Sequence, residues 1–297
     1  MQIIKNIQRL IFSIFVSLSF VMAISQNLLA DGTITWVNDN LAPAFILNGP
    51  DKGKGIVDGV VEIYKKHLPE YNHKHLVANM PRILDLMRTG ANVCYAGFFR
   101  TPEREKFVTF SAPNLINYMG VIVIRKDKRQ SISENQHTLS LKKIFSEKQL
   151  RPGLTQGRSY GNIIDMIIKS YVNNNDNILF RAGEDSLKGL LGMLYSGRID
   201  FTIGSPWEIP YLAKQIDKED AFRTIFIEEG KNQRWIKNYI GCPKNDWGKK
   251  LIHKINKILL QVRPSEEHMY HQLKWFPKEM EGDIRNAYMD QINSIIK

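Results

Sequence analysis

The chain has 297 residues, with 41 lysines and arginines against 30 acids for a formal net charge of +11; 43% of its residues are hydrophobic and 24% charged. That length accommodates about two domains with packed cores, and that balance excludes intrinsic disorder and fibrous repeats. Two cysteines exclude a disulfide-built scaffold, while the positive charge leaves nucleic acid, an anionic surface or an acidic small ligand open as partners.

At the N-terminus Lys5 and Arg9 precede an uncharged apolar run, residues 10–24, closed by Ala23-Ile24-Ser25. This pattern reads as a secretory signal peptide over residues 1–25, with a cut after Leu28-Leu29-Ala30 as the rival. The run falls short of the roughly 20 apolar residues that a membrane anchor needs. No cysteine follows it to carry a lipid, and no later segment is long and apolar enough to span a bilayer, so the mature chain is expected free in the periplasm. Losing Lys5 and Arg9 lowers the charge from +11 to +9. Export argues against nucleic acid as a partner. The densest basic cluster, Arg125-Lys126-Asp127-Lys128-Arg129, contains an acid and reads as a solvated turn. Cys94 and Cys242 lie in apolar, strand-like runs that suit buried thiols, and an oxidising compartment permits one bridge between them.

In chain order, residues 33–37 are β-branched and aromatic and predict a strand, followed by a loop over 38–50 that holds Pro43 and Phe45. Asp58 reads as the cap of a helix over 58–68, with Val60, Val61 and Tyr64 on its inner face and Pro69 to stop it. His73-Lys74-His75 places two imidazoles on one face of a strand. With no third ligand nearby they read as surface histidines, and no metal or cofactor is expected. A helix over 82–89 ends at Gly90 and leads into the apolar run Val93–Phe99. Arg100 and Arg104 follow with Thr101-Pro102 between them. Pro suits a first helical position and leaves neighbouring N–H groups free, so this strand ends in a cationic, donor-rich spot.

Residues 119–125 form an apolar strand before the charged turn, the composition shift expected where a chain crosses between domains. A second unit then begins, with a short helix over 139–145 and a strand approach over 150–155. The polar loop Gln156-Gly157-Arg158-Ser159-Tyr160-Gly161 opens a helix over 162–171. Such a loop offers unpaired N–H groups and a positive dipole end, with ordinary N-capping by Ser159 as the alternative reading. Leu187, Leu190, Leu191 and Leu194 then form a helix stripe, Gly197 caps it, and a strand runs over 199–204. Gly90 and Gly97 are seven apart, as are Gly197 and Gly204. One helix, cap and strand unit is thus used twice, which fits two α/β lobes whose strand ends face each other. A return crossing is placed between Phe222 and Cys242, with residues 235–241 as the re-entering strand. Amphipathic helices are predicted over 249–262 and 284–296, the first with Leu251, Ile255, Ile258, Leu259 and Val262 inward.

The order helix, Gly90, strand, Thr101-Pro102-Glu103-Arg104, then Phe110-Ser111-Ala112-Pro113 resembles the family-3 solute-binding proteins, extracytoplasmic receptors of polar amino acid ABC transporters. The resemblance covers most of the chain after residue 31, and Leu273-Lys274-Trp275-Phe276 matches the family's helix ending near the C-terminus. It implies an α/β, two-lobed, type II periplasmic-binding-protein fold with two crossing hinge strands and a ligand cleft. The first lobe would comprise residues 31–125 and 223–297 and the second 126–222. In the family the arginine of the Thr-x-x-Arg segment holds the ligand carboxylate, here Arg104, with Arg100 as a second candidate. Trp36, Phe45 and Phe99 become candidate aromatic walls. Thr155, Arg158 and Ser159 fall in the loop that grips the ligand from the second lobe.

Two departures bear on the ligand. Ser205 stands where amino acid receptors of the family usually place an aspartate for the α-ammonium, and Glu208 is the acid that could substitute. Phe98 and Phe99 stand where the family tends to have small hydroxyl residues. Both point to a larger, more apolar ligand carrying an anionic group. The expected function is capture of a small carboxylate-bearing or amino-acid-like ligand by lobe closure, as a monomer, and delivery to a membrane ABC permease, with no catalysis. The alternatives are a dehydratase-like enzyme acting on a cyclic carboxylic acid through Glu208, and a soluble sensor or adaptor for a membrane signalling protein.

Overall fold

A computed structural model describes residues 32–127, 137–172, 177–183, 185–276 and 278–292. The proposed signal peptide, Lys128 and Arg129 of the basic cluster, and the end of the 284–296 helix lie outside the described residues.

The first sheet contains β1 (Thr33–Asn38), β2 (Asn72–Val77), β3 (Val93–Phe99), β4 (Val108–Tyr118) and β11 (Trp235–Pro243), in the order β2-β1-β3-β11-β4. β2 and β3 run parallel to β1, while β11 runs antiparallel to both β3 and β4. The second sheet contains β5 (Val121–Arg125), β6 (Thr138–Leu139), β7 (Pro152–Thr155), β8 (Leu179–Arg181), β9 (Phe201–Gly204) and β10 (Phe222–Ile227), in the order β6-β10-β5-β9-β7-β8. The chain passes from β4 to β5 through Met119-Gly120 and returns from β10 to β11. These are the two hinge crossings of a two-lobed α/β fold. Val121–Arg125 and Phe222–Ile227 pair in the second sheet, so the crossings lie inside the boundaries expected at residues 125 and 223. The apolar run was misplaced because a strand buried on both faces reads the same in either lobe.

Each sheet is covered by amphipathic helices. On the first pack α1 (Ile56–His67), α2 (Met80–Arg88), α7 (Asp246–Val262), α8 (Glu266–Leu273) and α9 (Glu281–Gln291). All five inward positions expected in α7 are buried. Asp58 sits in the third position of α1 rather than before it, and its carboxylate reaches back to accept the N–H groups of Gly55 (3.0 Å) and Ile46 (2.9 Å). It fastens the loop after β1 to the helix start. On the second sheet, α3 (Leu141–Glu147) and α4 (Asn162–Val172) cover one face, and α5 (Ser186–Tyr195) and α6 (Glu208–Lys214) the other. β5 sends Ile122 and Ile124 into one of these cores and Val123 into the other, the period-2 alternation of a strand covered on both sides. Gly90 (φ +76°) and Gly197 (φ +71°) both take the left-handed conformation as the chain leaves α2 and α5, so the repeated unit is real in the backbone.

Cys94 and Cys242 form a disulfide between β3 and β11, with Cα atoms 4.4 Å apart and 148 residues of sequence separation. Of the two readings left by the sequence, the bridge is the one formed. Closing so long a loop in the unfolded chain is worth about 5 kcal/mol in the chain-entropy picture, and removal of native bridges typically costs about 2–5 kcal/mol. The double variant Cys94→Ala/Cys242→Ala is therefore expected to unfold at a clearly lower urea concentration than the oxidised wild type. A coincident pair of curves would show the bridge to be energetically idle.

Beneath β4, a buried polar chain ties the helices of the first lobe together. Tyr64 Oη donates to Asn114 Oδ1 (2.5 Å), which also lies 3.3 Å from His268 Nε2, while His268 Nδ1 lies 3.0 Å from Tyr288 Oη. His268 is fully buried, and desolvation first, with the charges of His271 and Arg263 adding to it, pushes its pKa down to about 3. The unfolded chain protonates this imidazole below about 6.5, whereas the folded chain does not. Its contribution to stability is thus present above that pH and is lost at about 1.4 kcal/mol per unit as the pH falls towards 3. In His268→Gln the fall in urea midpoint between pH 7 and pH 4.5 is expected to be shallower than in wild type; equal slopes would contradict the assignment.

Candidate functional site

The carboxyl ends of β1 and β3 meet the loop after β7 in a cavity between the lobes, which encloses about 630 Å³ of empty space, its open mouth included. The walls are mainly apolar: Leu41, Phe45, Tyr95 and Phe99 near the strand ends, with Trp207 and Phe276 further along. Tyr95 stacks on Phe45 at 5.3 Å between ring centroids, and its buried hydroxyl has no partner among the described residues. Burial raises that hydroxyl's pKa well above the ordinary range, so it meets the cavity as a neutral donor.

Arg104 begins a single 3₁₀ turn after β3, its N–H donating to Thr101 Oγ1 at 3.3 Å. Its guanidinium is buried, donating from Nη1 to Phe99 O (2.9 Å) and from Nη2 across the cleft to Gly157 O (3.2 Å), and it lies 5.3 Å from the centre of the Phe98 ring. Among the described residues no carboxylate lies within ion-pair distance of it. Desolvation lowers its pKa, opposed by Asp165, Tyr95 and Glu103, yet a guanidinium keeps its charge in proteins. A fixed positive charge therefore faces a mostly apolar cavity, held among the described residues by two backbone carbonyls and the Phe98 ring.

Arg158, on the opposite wall, is handled differently. Its Nη2 donates to Glu208 Oε2 at 2.7 Å, and the same oxygen accepts the Ser205 N–H at 2.8 Å. Glu208 is completely buried and does not line the cavity. It is no solvated loop acid: its Oε2 is the counter-ion of Arg158, while its Oε1 is buried without a hydrogen-bond partner among the described residues. Ser205 is buried on the same side and likewise absent from the cavity wall.

Several other sequence candidates change role. Ser159 does border the cavity, but its hydroxyl donates to Asp165, whose other oxygen accepts the Tyr160 N–H at 2.8 Å. Donors expected to greet an anion at this helix start are partly consumed by an acid one turn later. Thr155 faces a neighbouring cavity instead, and its buried Oγ1 has no partner among the described residues. Trp36 is a core residue, donating from Nε1 to His73 Nδ1 (3.1 Å) and stacking on Tyr64. The same bond gives His73 a structural task. Arg100 is an exposed partner of Glu105 and is absent from the wall of this cavity. Phe45 and Phe99 are the two aromatic candidates that line it, with Arg104, Arg158 and Ser159 as the polar ones.

Sequence reasoning missed Asp39, Tyr95, Asn117 and Trp207. Asp39 could have been found, since it is the acid immediately beyond β1 and ligands of α/β sheets collect at strand carboxyl ends. Trp207 had no such signal. It follows β9 of the second sheet, yet it is buried within the first lobe's core, donates from Nε1 to Asn117 Oδ1 at 2.6 Å and packs on Phe276 at 5.7 Å. Tyr211 packs edge-on against Trp275 at 5.4 Å nearby. With the Arg104 bond to Gly157, these contacts bring the lobes together around the cavity.

The sequence profile of the bacterial extracellular solute-binding proteins, family 3, matches residues 36–278. The chain belongs to this family. No curated protein sequence matches it. Among solved structures, this family-3 chain is similar to a histidine kinase sensor domain described as similar to periplasmic binding proteins, with a TM-score of 0.65, 10% identity, and coverage of 84% of this chain and 97% of that one. It is also similar to the substrate-binding protein of an amino acid ABC transporter, with a TM-score of 0.61, 16% identity, and coverage of 82% and 99%. A third is the ancestral amino acid-binding protein AncCDT-1, described as a precursor of cyclohexadienyl dehydratase, with a TM-score of 0.61, 17% identity, and coverage of 83% and 96%. At these identities the likeness carries the fold, the type II periplasmic-binding-protein architecture. Among the described residues no helix of this family-3 protein is long and apolar enough to cross a membrane.

Proposed function

We propose that this protein is a periplasmic receptor that closes on a small carboxylate with an apolar body and hands it to an ABC permease. The observation that carries the reading is Arg104: a buried guanidinium without a carboxylate partner among the described residues, at the wall of an apolar cavity between two lobes. A planar fork in such surroundings suits bidentate capture of a carboxylate. A zwitterionic α-amino acid fits less well. The position that would pair its ammonium is Ser205, buried away from the cavity, and Glu208, bonded to Arg158 through Oε2, is absent from the cavity wall as well. Leaving an ammonium desolvated and unpaired costs several kcal/mol.

Closure on the ligand follows from the contacts between lobes: an anion touching Arg104 and the loop after β7 together favours the arrangement in which both walls meet. The test is calorimetric titration of the ligand-stripped protein with a panel of alkyl and aryl carboxylates beside the common amino acids. Binding of the carboxylates without a zwitterion preference supports the reading; selective binding of α-amino acids sinks the ligand assignment. Co-purification with a permease distinguishes transport from presentation of the closed form to a membrane sensor.

A dehydratase reading has one observation in its favour. Asp39, in a neighbouring cavity between the lobes, has its pKa raised to about 6 by desolvation, as a general acid would require. Loss of water from a bound cyclic carboxylic acid, followed by mass spectrometry, would establish it.

A further inference from the structure

A second cavity adjoins the first, sharing Leu41, Met80 and Arg158 with it, with about 480 Å³ of empty space, its open mouth included. Beside Asn40, Asn79, Gln156 and Ser186, three polar residues line it whose bonding bears on a ligand: Asp39 from the loop after β1, Thr155 from the end of β7, and Arg158. Their hydrogen-bonding capacity is not used up. Among the described residues, Thr155 Oγ1 and Arg158 Nη1 are buried without a hydrogen-bond partner, although Arg158 Nη2 is tied to Glu208. A buried donor left unmade costs about 1–3 kcal/mol, more for a charged group, which is a reason to expect a partner supplied from outside the chain.

We propose that Asp39, Thr155 and Arg158 form a second polar subsite that holds a neutral hydrogen-bonding group of the carboxamide type at the far end of the carboxylate ligand. This rests on the reading of Arg104 as the carboxylate anchor. The charges facing the subsite select the group. Arg158 Nη1 and the Thr155 hydroxyl offer donors and call for an acceptor, while the Asp39 carboxylate calls for a donor; a carboxamide supplies its C=O to the first and its N–H to the second. A second carboxylate would meet Asp39, with Glu208 behind it. An ammonium would meet Arg158. Desolvation, opposed by an N–H of Asn40 and by Arg158, leaves Asp39 with a pKa of about 6, so the carboxyl is mostly ionised at neutral pH and exerts this selection.

The experiment uses straight-chain carboxylic acids with about two to six methylene groups that end in an amide, a carboxylate, an ammonium or a plain methyl. Each is titrated calorimetrically into the ligand-stripped full protein near pH 7.5. At the length that binds best, the amide is expected to bind about 10-fold tighter than the diacid and the amino acid. Asp39→Asn is expected to bring the diacid to within about threefold of the amide, because the repulsion is gone. Thr155→Val is expected to cut the amide's advantage over the plain alkyl carboxylate about threefold. Each result is a ratio within one protein, so a general loss of affinity does not enter. Equal binding of all four end groups, or an amide-to-diacid ratio unchanged in Asp39→Asn, overturns the subsite and leaves the Arg104 anchor standing. Absence of binding by every carboxylate overturns the anchor and the subsite with it.

Discussion

Arg104→Ala is expected to weaken binding of the best carboxylate probe by about 100-fold or more, close to 3 kcal/mol. Of the five guanidinium N–H donors, one on Nη1 serves Phe99 O and one on Nη2 serves Gly157 O, which leaves donors for a carboxylate. Hydrogen bonds to charged groups contribute about 1.5–3 kcal/mol each, and the largely apolar wall keeps water from competing for them. The substitution also removes the bond from Nη2 to Gly157, which joins the lobes, so part of the loss falls on closure. Arg104→Lys keeps the charge without the planar fork and is expected to lose about 10-fold. The measurement is calorimetric Kd, with the thermal midpoint of the free protein as a control for folding. Undiminished affinity in the alanine variant would remove the anchor on which the functional reading stands.

Glu208→Ala is expected to cost about 3–5 kcal/mol of unfolding free energy, the usual penalty for stranding one member of a buried ion pair. Arg158 and Glu208 are both taken from water, with side chains 12% and 0% exposed, and meet at 2.7 Å. The alanine also orphans the Ser205 N–H. Replacing the two charges together, as Arg158→Met/Glu208→Leu, is expected to recover most of the loss, because an apolar pair of similar volume needs no desolvation. Urea unfolding of the three proteins tests this. A Glu208→Ala variant as stable as wild type would mean that Arg158 finds another counter-charge. Asp39 is the acid placed to serve, and a fall in its apparent pKa would reveal the exchange.

The two variants also separate what was legible in the sequence from what was not. Arg104 could be picked out by its place just past an apolar strand and by the Thr-Pro-Glu-Arg order around it. Arg158 and Ser159 could be assigned to a loop that opens a helix. Their partners could not be read in the same way. Ser159 gives its hydroxyl to Asp165, and Arg158 is held by a residue 50 positions away. Trp36 and Phe45 look alike as aromatics near the first strand's end, yet one packs on Tyr64 and His73 inside the lobe and the other lines the cavity.

By itself the sequence determined the repeating helix, glycine and strand units, the inward faces of the long helices, and the arginine at the end of β3. These are properties of periodicity and of residues close along the chain, where side-chain direction follows from backbone geometry. Only the tertiary structure decided which polar groups stay available to a ligand. Glu208 is withdrawn to neutralise Arg158, Asp165 claims the helix start, Trp207 crosses into the other lobe's core, and Asp39 comes to face Thr155 and Arg158. The physical reason is that a buried donor or acceptor takes whatever partner folding brings within reach, and that competition is settled between residues far apart in sequence.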